Sequence, residues 1–308
     1  MNSQFGAQFP IIKEDLFIII LIANIVLPVF LITLIGYVFG KIKRINLTAI
    51  NDFVIYVSTP CLILSSLAEK PIEIGLAAKV FISVVGVICG CIVIGYLIIR
   101  ALKLPNKIYL PTVLFANTGN MGLPLVFFAF GDIGFNVAIL YMVSTTILHY
   151  TLGIMILNFG RSTLEVFKLP LIYSAVLGIV LSVWGWSMPT AVERGVQLLG
   201  EASIPTMIFA LGYKLSEVTL SHVGRSFLFG GLRVGLGFVF GIVFVKLLSL
   251  DGVVASVVIL QSAMPPAVFN FVLAEKYKQD SKMVASITMA GTLISVATTP
   301  IIIAYLLG

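Results

Sequence analysis

Long apolar runs separated by short polar connections fill the 308-residue chain. A helix needs about 20 apolar residues to cross a bilayer. Windows of that length predict ten spans: 16–40, 48–68, 76–100, 108–130, 134–158, 169–186, 193–213, 225–248, 253–274 and 283–307. The sixth opens with Pro170 and closes around Trp184, Gly185 and Trp186, and its tryptophans suit an interfacial belt.

Two spans break the apolar pattern. Residues 110–130 read LPTVLFANTGNMGLPLVFFAF, with Asn117, Thr118, Gly119, Asn120, Gly122 and Pro124 in the middle. Glycine weakens a helix, and proline removes a backbone donor and clashes with the preceding turn. The ninth span carries MPPAVFN, Met264 to Asn270. A freed peptide group in hydrocarbon costs several kcal/mol unless it is buried in protein or lines a cavity. Both spans are therefore expected to break near mid-membrane, as helices do around substrate and ion sites in secondary transporters.

Composition agrees with a polytopic all-α membrane protein. The chain is 59% hydrophobic and 10% charged, whereas soluble domains are about 25% charged. The net charge of +6 sits in short loops and reads as a topology signal, with no nucleic-acid partner implied. Loops after odd-numbered spans hold thirteen Lys and Arg, from Lys41 to Lys282; the opposite side holds Lys13, Lys70, Lys79, Arg194 and Lys246. Both termini are thus expected outside the cytoplasm of a cell-membrane protein. The first run follows Lys13, Glu14 and Asp15 and is read as a retained helix. Cys61, Cys89 and Cys91 lie inside apolar spans, without metal or disulfide spacing, and are read as packing residues. No HExxH or GxSxG occurs. Neither an enzyme nor a cofactor or metal site is expected.

An internal repeat is visible. VSTPCLIL (57–64) aligns with ASIPTMIF (202–209), matching Ser58, Pro60 and Ile63 to Ser203, Pro205 and Ile208. The interrupted spans are fourth in each set of five, and an odd number of spans inverts the second set. This gives repeats at 1–159 and 169–308, joined by a short cytoplasmic linker at 160–168.

The run NTGNMGLPL (117–125), the later QSAMPPAVFNFVLAEKY (261–277) and ten spans with a short central loop resemble the auxin efflux carrier family, which includes bacterial malate and malonate permeases and the plant auxin exporters. The resemblance implies a fold like that of sodium/proton antiporters and bile-acid transporters. Spans 1, 2, 6 and 7 would form a homodimerising scaffold, and spans 3–5 and 8–10 a mobile core that works by elevator-type alternating access. It further implies a small carboxylate substrate and a microbial source, since the long central segment of many plant members is missing.

A helix starting inside the membrane offers unpaired N–H groups and the positive end of its dipole, which suits an anion. The expected substrate-binding set is Asn117, Gly119, Asn120, Met121, Gly122 and Pro124 in the fourth span, with Gln261, Pro265, Pro266 and Asn270 in the ninth. Asp52 and Glu201 are the candidate proton- or sodium-coupling carboxylates, Glu201 the deeper one. Arg233 is expected at an aqueous cavity or beside an acid, with attraction of substrate anions as a further role, and His149 in a hydrogen-bonded core position, with a proton relay as the alternative. Tyr141, Tyr150, Phe127, Phe128 and Phe269 lie near the breaks, as helix packing or as an aromatic wall. The leading reading is an organic-anion secondary transporter; the alternative is a membrane-embedded organic-acid sensor that binds without transport.

Overall fold

The computed structural model describes residues 10–69, 73–157 and 167–307, with side chains from 19 onward. Lys70, Arg161 and the linker over 160–166 lie outside them, as do the side chains of Lys13, Glu14 and Asp15. The described chain is helical, in the order α1 (Pro10–Ile42), α2 (Thr48–Phe53), α3 (Thr59–Glu69), α4 (Ile74–Ala101), α5 (Asn106–Leu114), α6 (Leu123–Leu148), α7 (Ile154–Leu157), α8 (Pro170–Trp184), α9 (Thr190–Glu201), α10 (Ser203–Glu217), α11 (Val223–Leu247), α12 (Gly252–Ser262), α13 (Phe269–Lys276) and α14 (Ser281–Leu307). Seven continuous helical stretches among the described residues are long and apolar enough to cross a membrane.

The difference from ten expected spans has local causes. The stretch Thr118–Leu157 runs for 40 residues, but Gly131 at φ 59°, ψ −158° reverses the chain inside it. That left-handed φ suits glycine, which has no Cβ to clash. The predicted ninth span is divided into α12 and α13, each too short alone. The sixth, α8, ends at Trp184, where Gly185 adopts φ 64° as a left-handed cap.

Proline shapes the second and seventh predicted spans alike. Pro60 follows a π-helical turn at Val54–Ser58 that joins α2 to α3. Pro205 lies just past Ala202, where α9 gives way to α10. Each proline removes an N–H from the ladder, and the preceding turn loosens. The repeat-matched serines meet: Ser58 Oγ is 2.8 Å from Ser203 Oγ and donates to the Leu199 carbonyl at 2.9 Å.

Small residues let helices approach closely where apolar lipid supplies no hydrophobic drive. Gly212 of α10 faces the Thr33 carbonyl of α1, and Gly36 of α1 faces the Phe209 carbonyl of α10. At Gly230 of α11 an added Cβ would sit 2.6 Å from Gly291 N of α14. Tyr213 ties the α1–α2 connection to α10, donating to Ile45 O at 2.8 Å and accepting from Ile45 N at 2.7 Å.

Gly212→Leu is expected to lower the thermal midpoint in detergent, because overpacking a tight contact costs about 1–3 kcal/mol and here the obstacle is backbone. Gly75→Ala, at a helical position with nothing within 4 Å, should leave the midpoint unchanged or slightly raised. Equal midpoints for Gly212→Leu and the parent would contradict this packing.

Candidate functional site

The two broken segments cross as an antiparallel pair. Between α5 and the next helical turn, Phe115, Ala116 and Asn117 leave helical geometry; between α12 and α13, Pro265, Pro266 and Ala267 do the same. Asn117 N donates to Pro265 O at 2.7 Å, Ala267 N donates to Phe115 O at 2.9 Å, and Ala116 pairs with Pro266. Each segment thus satisfies backbone groups that its own broken helix abandons. Asn117, at φ −79°, ψ 62°, forms an inverse γ-turn, and Thr118 N reaches Ala116 O at 2.9 Å.

A cavity of about 410 Å³ lies against this crossing. Asn117, Thr118, Gly119 and Asn120 line it from one segment, and Ala267, Val268 and Phe269 from the other. Both half-helix starts therefore open to one space. The positive ends of their dipoles face it, although some of the starting N–H groups are already held: Thr118 N by Ala116 O, Asn270 N by Ala267 O and Phe271 N by Val268 O. Three π-helical turns reach the same cavity: Val54–Ser58, Thr118–Gly122 and His149–Gly153. A π turn widens the helix by one residue and recurs at functional positions. The charged lining residues are Asp52 and Lys214, the latter 3.0 Å from Glu217.

The opposite ends of the broken helices are held by a cation. Arg233 of α11 is 1% exposed. Its Nη1 donates to Val113 O at 2.8 Å and Leu114 O at 2.9 Å, in the last turn of α5; its Nη2 donates to Ser262 O, at the end of α12. One guanidinium thereby meets the negative dipole ends of two half-helices. This corrects the expected place of Arg233: it neither faces the cavity nor pairs with a carboxylate, because helix-end carbonyls already supply its negative charge.

The candidate residues divide into two groups. Asn117, Gly119 and Asn120 line the cavity, and Asn117 Nδ2 is buried without a hydrogen-bond partner. Met121 points away, its Sδ 3.7 Å from Ser295 Oγ of α14. Gly122 packs on the Gln261 side chain, which is fully buried with both amide atoms unpartnered. Pro124 opens α6 and is buried. Pro265 lends its carbonyl to the crossing, while Pro266 packs against Gly291. Asn270 stands behind His149, its Oδ1 2.9 Å from Nε2. Asp52 is exposed on the cavity wall; Glu201 is exposed at the end of α9 and does not line the cavity, against the burial expected of it. Tyr150 and Phe269 line the cavity and stack at 4.8 Å. Tyr141 is hydrogen bonded to Ser262 at 2.8 Å, and Phe127 and Phe128 are each 38% exposed on the outside. Thr145, Thr146, Met142, Met207 and Lys214 also line the cavity and were not singled out from sequence. The adjacent threonines in an apolar span were the available signal. Among the described residues no cluster of His, Cys, Asp or Glu could hold a metal ion, and the three cysteines are free.

Apolar helices of membrane-spanning length and a central crossing of broken segments define a multi-pass membrane transporter. The family described as membrane transport protein matches residues 21–168 and 159–303, and the chain belongs to it, the auxin efflux carrier family. An uncharacterized transporter of Methanothermobacter thermautotrophicus is 29% identical over 291 residues, covering 90% of this chain and 95% of that protein. One of Methanocaldococcus jannaschii is 25% identical, covering 85% and 92%. A probable auxin efflux carrier component 5c of Oryza sativa is 29% identical over 149 residues, 46% of this chain and 40% of that one.

Arg233→Met is expected to destabilise the protein by about 3 kcal/mol or more, since each hydrogen bond to a charged group contributes about 1.5–3 kcal/mol and the buried carbonyls would lose their donor. Thermal unfolding in detergent reads this directly. A midpoint equal to that of the parent would show that the guanidinium does not hold the crossing.

Proposed function

We propose that this protein is a secondary transporter of a small organic anion, bound at the crossing by half-helix N-termini and by Asn117 and Asn120. The observation that carries the reading is the convergence of two helix starts, with their amide neighbours, on a single cavity. Helix N-termini attract carboxylates without a full cation. The cationic Arg233 sits on the far side of the crossing, where it stabilises the broken helices without capturing the substrate.

Two inverted five-span repeats fit the chain reversal at Gly131, the matched prolines at 60 and 205 and the Ser58–Ser203 contact. In that reading α1, α2–α3, α8 and α9–α10 form the scaffold, and the remaining helices form the core. The cavity lies between α2 and α10 on one side and the crossing on the other, as a site carried by a core past a scaffold requires. Thr48 to Asp52 and Lys214 mark its mouth, close in sequence to the basic loops assigned to the cytoplasm. The arrangement is thus a cytoplasm-facing state, with alternating access completed by sliding of the core. Asp52 at the mouth is positioned to influence entry; Glu201 has no comparable position.

Asn120→Ala should abolish uptake of radiolabelled carboxylates into proteoliposomes while the protein remains monodisperse in detergent. Transport at the parental rate would remove Asn120 from the site. Counterflow of labelled malate or malonate against unlabelled acid tests transport itself: exchange supports a carrier, and saturable binding without exchange supports a sensor.

A further inference from the structure

His149 begins the π-helical turn between α6 and α7, is 5% exposed and lines the cavity. Its ring lies parallel to Phe115 at 4.0 Å and edge-on to Phe269 at 5.2 Å. Gly153 leaves the space: a Cβ there would come within 3.0 Å of the imidazole and 3.2 Å of Phe115. Nε2 is 2.9 Å from Asn270 Oδ1, and Asn270 Nδ2 is 3.5 Å from the Phe115 carbonyl. A carbonyl only accepts, so the amide nitrogen of Asn270 faces Phe115 and its oxygen faces the histidine. Nε2 therefore carries hydrogen, and Nδ1 is the basic nitrogen left for chemistry.

The ring thus joins both crossing segments to the third helix at the cavity. Other ionisable groups on its walls stand differently. Asp52 of α2 is an exposed carboxylate, which repels an anion; Lys214 of α10 is paired with Glu217; Tyr150 on the same turn stacks on Phe269. Facing His149 from α13 are the uncharged Asn270 and Phe269. His149 is the ionisable side chain that touches both crossing segments, through Asn270 on one side and Phe115 on the other. As an imidazolium it would keep its bond to Asn270, rest its face on Phe115 as a cation over a ring, and offer an Nδ1–H to a carboxylate. An anion within about 4–6 Å favours that charged form.

We propose that His149 takes up one proton when a carboxylate binds, so that anion and proton cross together. The step rests on the transport reading above. The proton leaves bulk water on the side to which the cavity opens, bonds to Nδ1, and is released with the anion on the other side. A monoanion then crosses without net charge, and uptake is driven by an inward proton gradient.

The test uses the purified full-length protein in weakly buffered detergent with a pH indicator, titrated with malate, malonate and benzoate. Wild type should take up one proton per bound acid. The chain holds two histidines, so imidazole ¹⁵N spectra should show one ring, that of His149, becoming imidazolium on acid addition. His149→Gln keeps an N–H for Asn270 and cannot titrate; it should bind acid more weakly, without proton uptake. In proteoliposomes it should lose the several-fold acceleration by external acid expected of wild type. Acid binding and flux by wild type without proton uptake would overturn the proposal and leave the carrier reading intact. Failure of all three acids to bind or move would overturn the carrier reading, and this proposal with it. The wild-type measurement decides the matter even if His149→Gln does not fold.

Discussion

A peptide group inside hydrocarbon must find a partner within the protein, and the crossing of the two broken segments is organised around that requirement. Phe115 and Asn117 exchange hydrogen bonds with Ala267 and Pro265, so two interruptions that would each be costly alone satisfy one another. The remaining carbonyls at the ends of α5 and α12 go to Arg233. The continuing half-helices then start at the cavity, with the positive ends of their dipoles toward it. The polarity of the site follows: carbonyl ends toward a fixed internal cation, amide ends toward an open space.

The surrounding helices keep that arrangement in register. Glycines at the α1–α10 and α11–α14 contacts bring backbones close enough to define position along the helix axis. The serine pair between the π-helical turn before α3 and the start of α10 joins corresponding places in the two halves. Around the cavity, the π turns place threonine, asparagine and histidine side chains on inward faces that an unbroken helix of the same sequence would distribute differently.

Much of this was legible in the sequence. Gly119, Gly122, Pro124, Pro265 and Pro266 announced the breaks, because these residue types are penalised in helices wherever they fall. Asn117 and Asn120 stood out as amides in an apolar run. The facing of neighbouring residues was less accessible. Met121, Gln261 and Asn270 were grouped with the site by proximity in sequence, yet the wide turn at Thr118–Gly122 and the extended crossing rotate them away from the cavity. Arg233 was misplaced because a cation bound by backbone carbonyls leaves no complementary acid in the sequence. Glu201 was expected to be buried from its closeness to Pro205, but the break at Ala202 leaves the end of α9 on the surface. Thr145, Thr146 and Met207 belong to the cavity through tertiary packing, which no local pattern encodes.

Arg233 gives the crossing a mechanical character. A single planar group clamps two separate strands of backbone, so neither strand can shift without unpairing a charge deep in the protein. If the clamped pair moves as one rigid body, as the proposed carrier requires, whatever it grips encounters the same chemical surroundings whichever face of the bilayer it meets. In the proposed carrier, comparable grip on either side would leave the direction of net flow to the gradients across the membrane and not to the machinery itself.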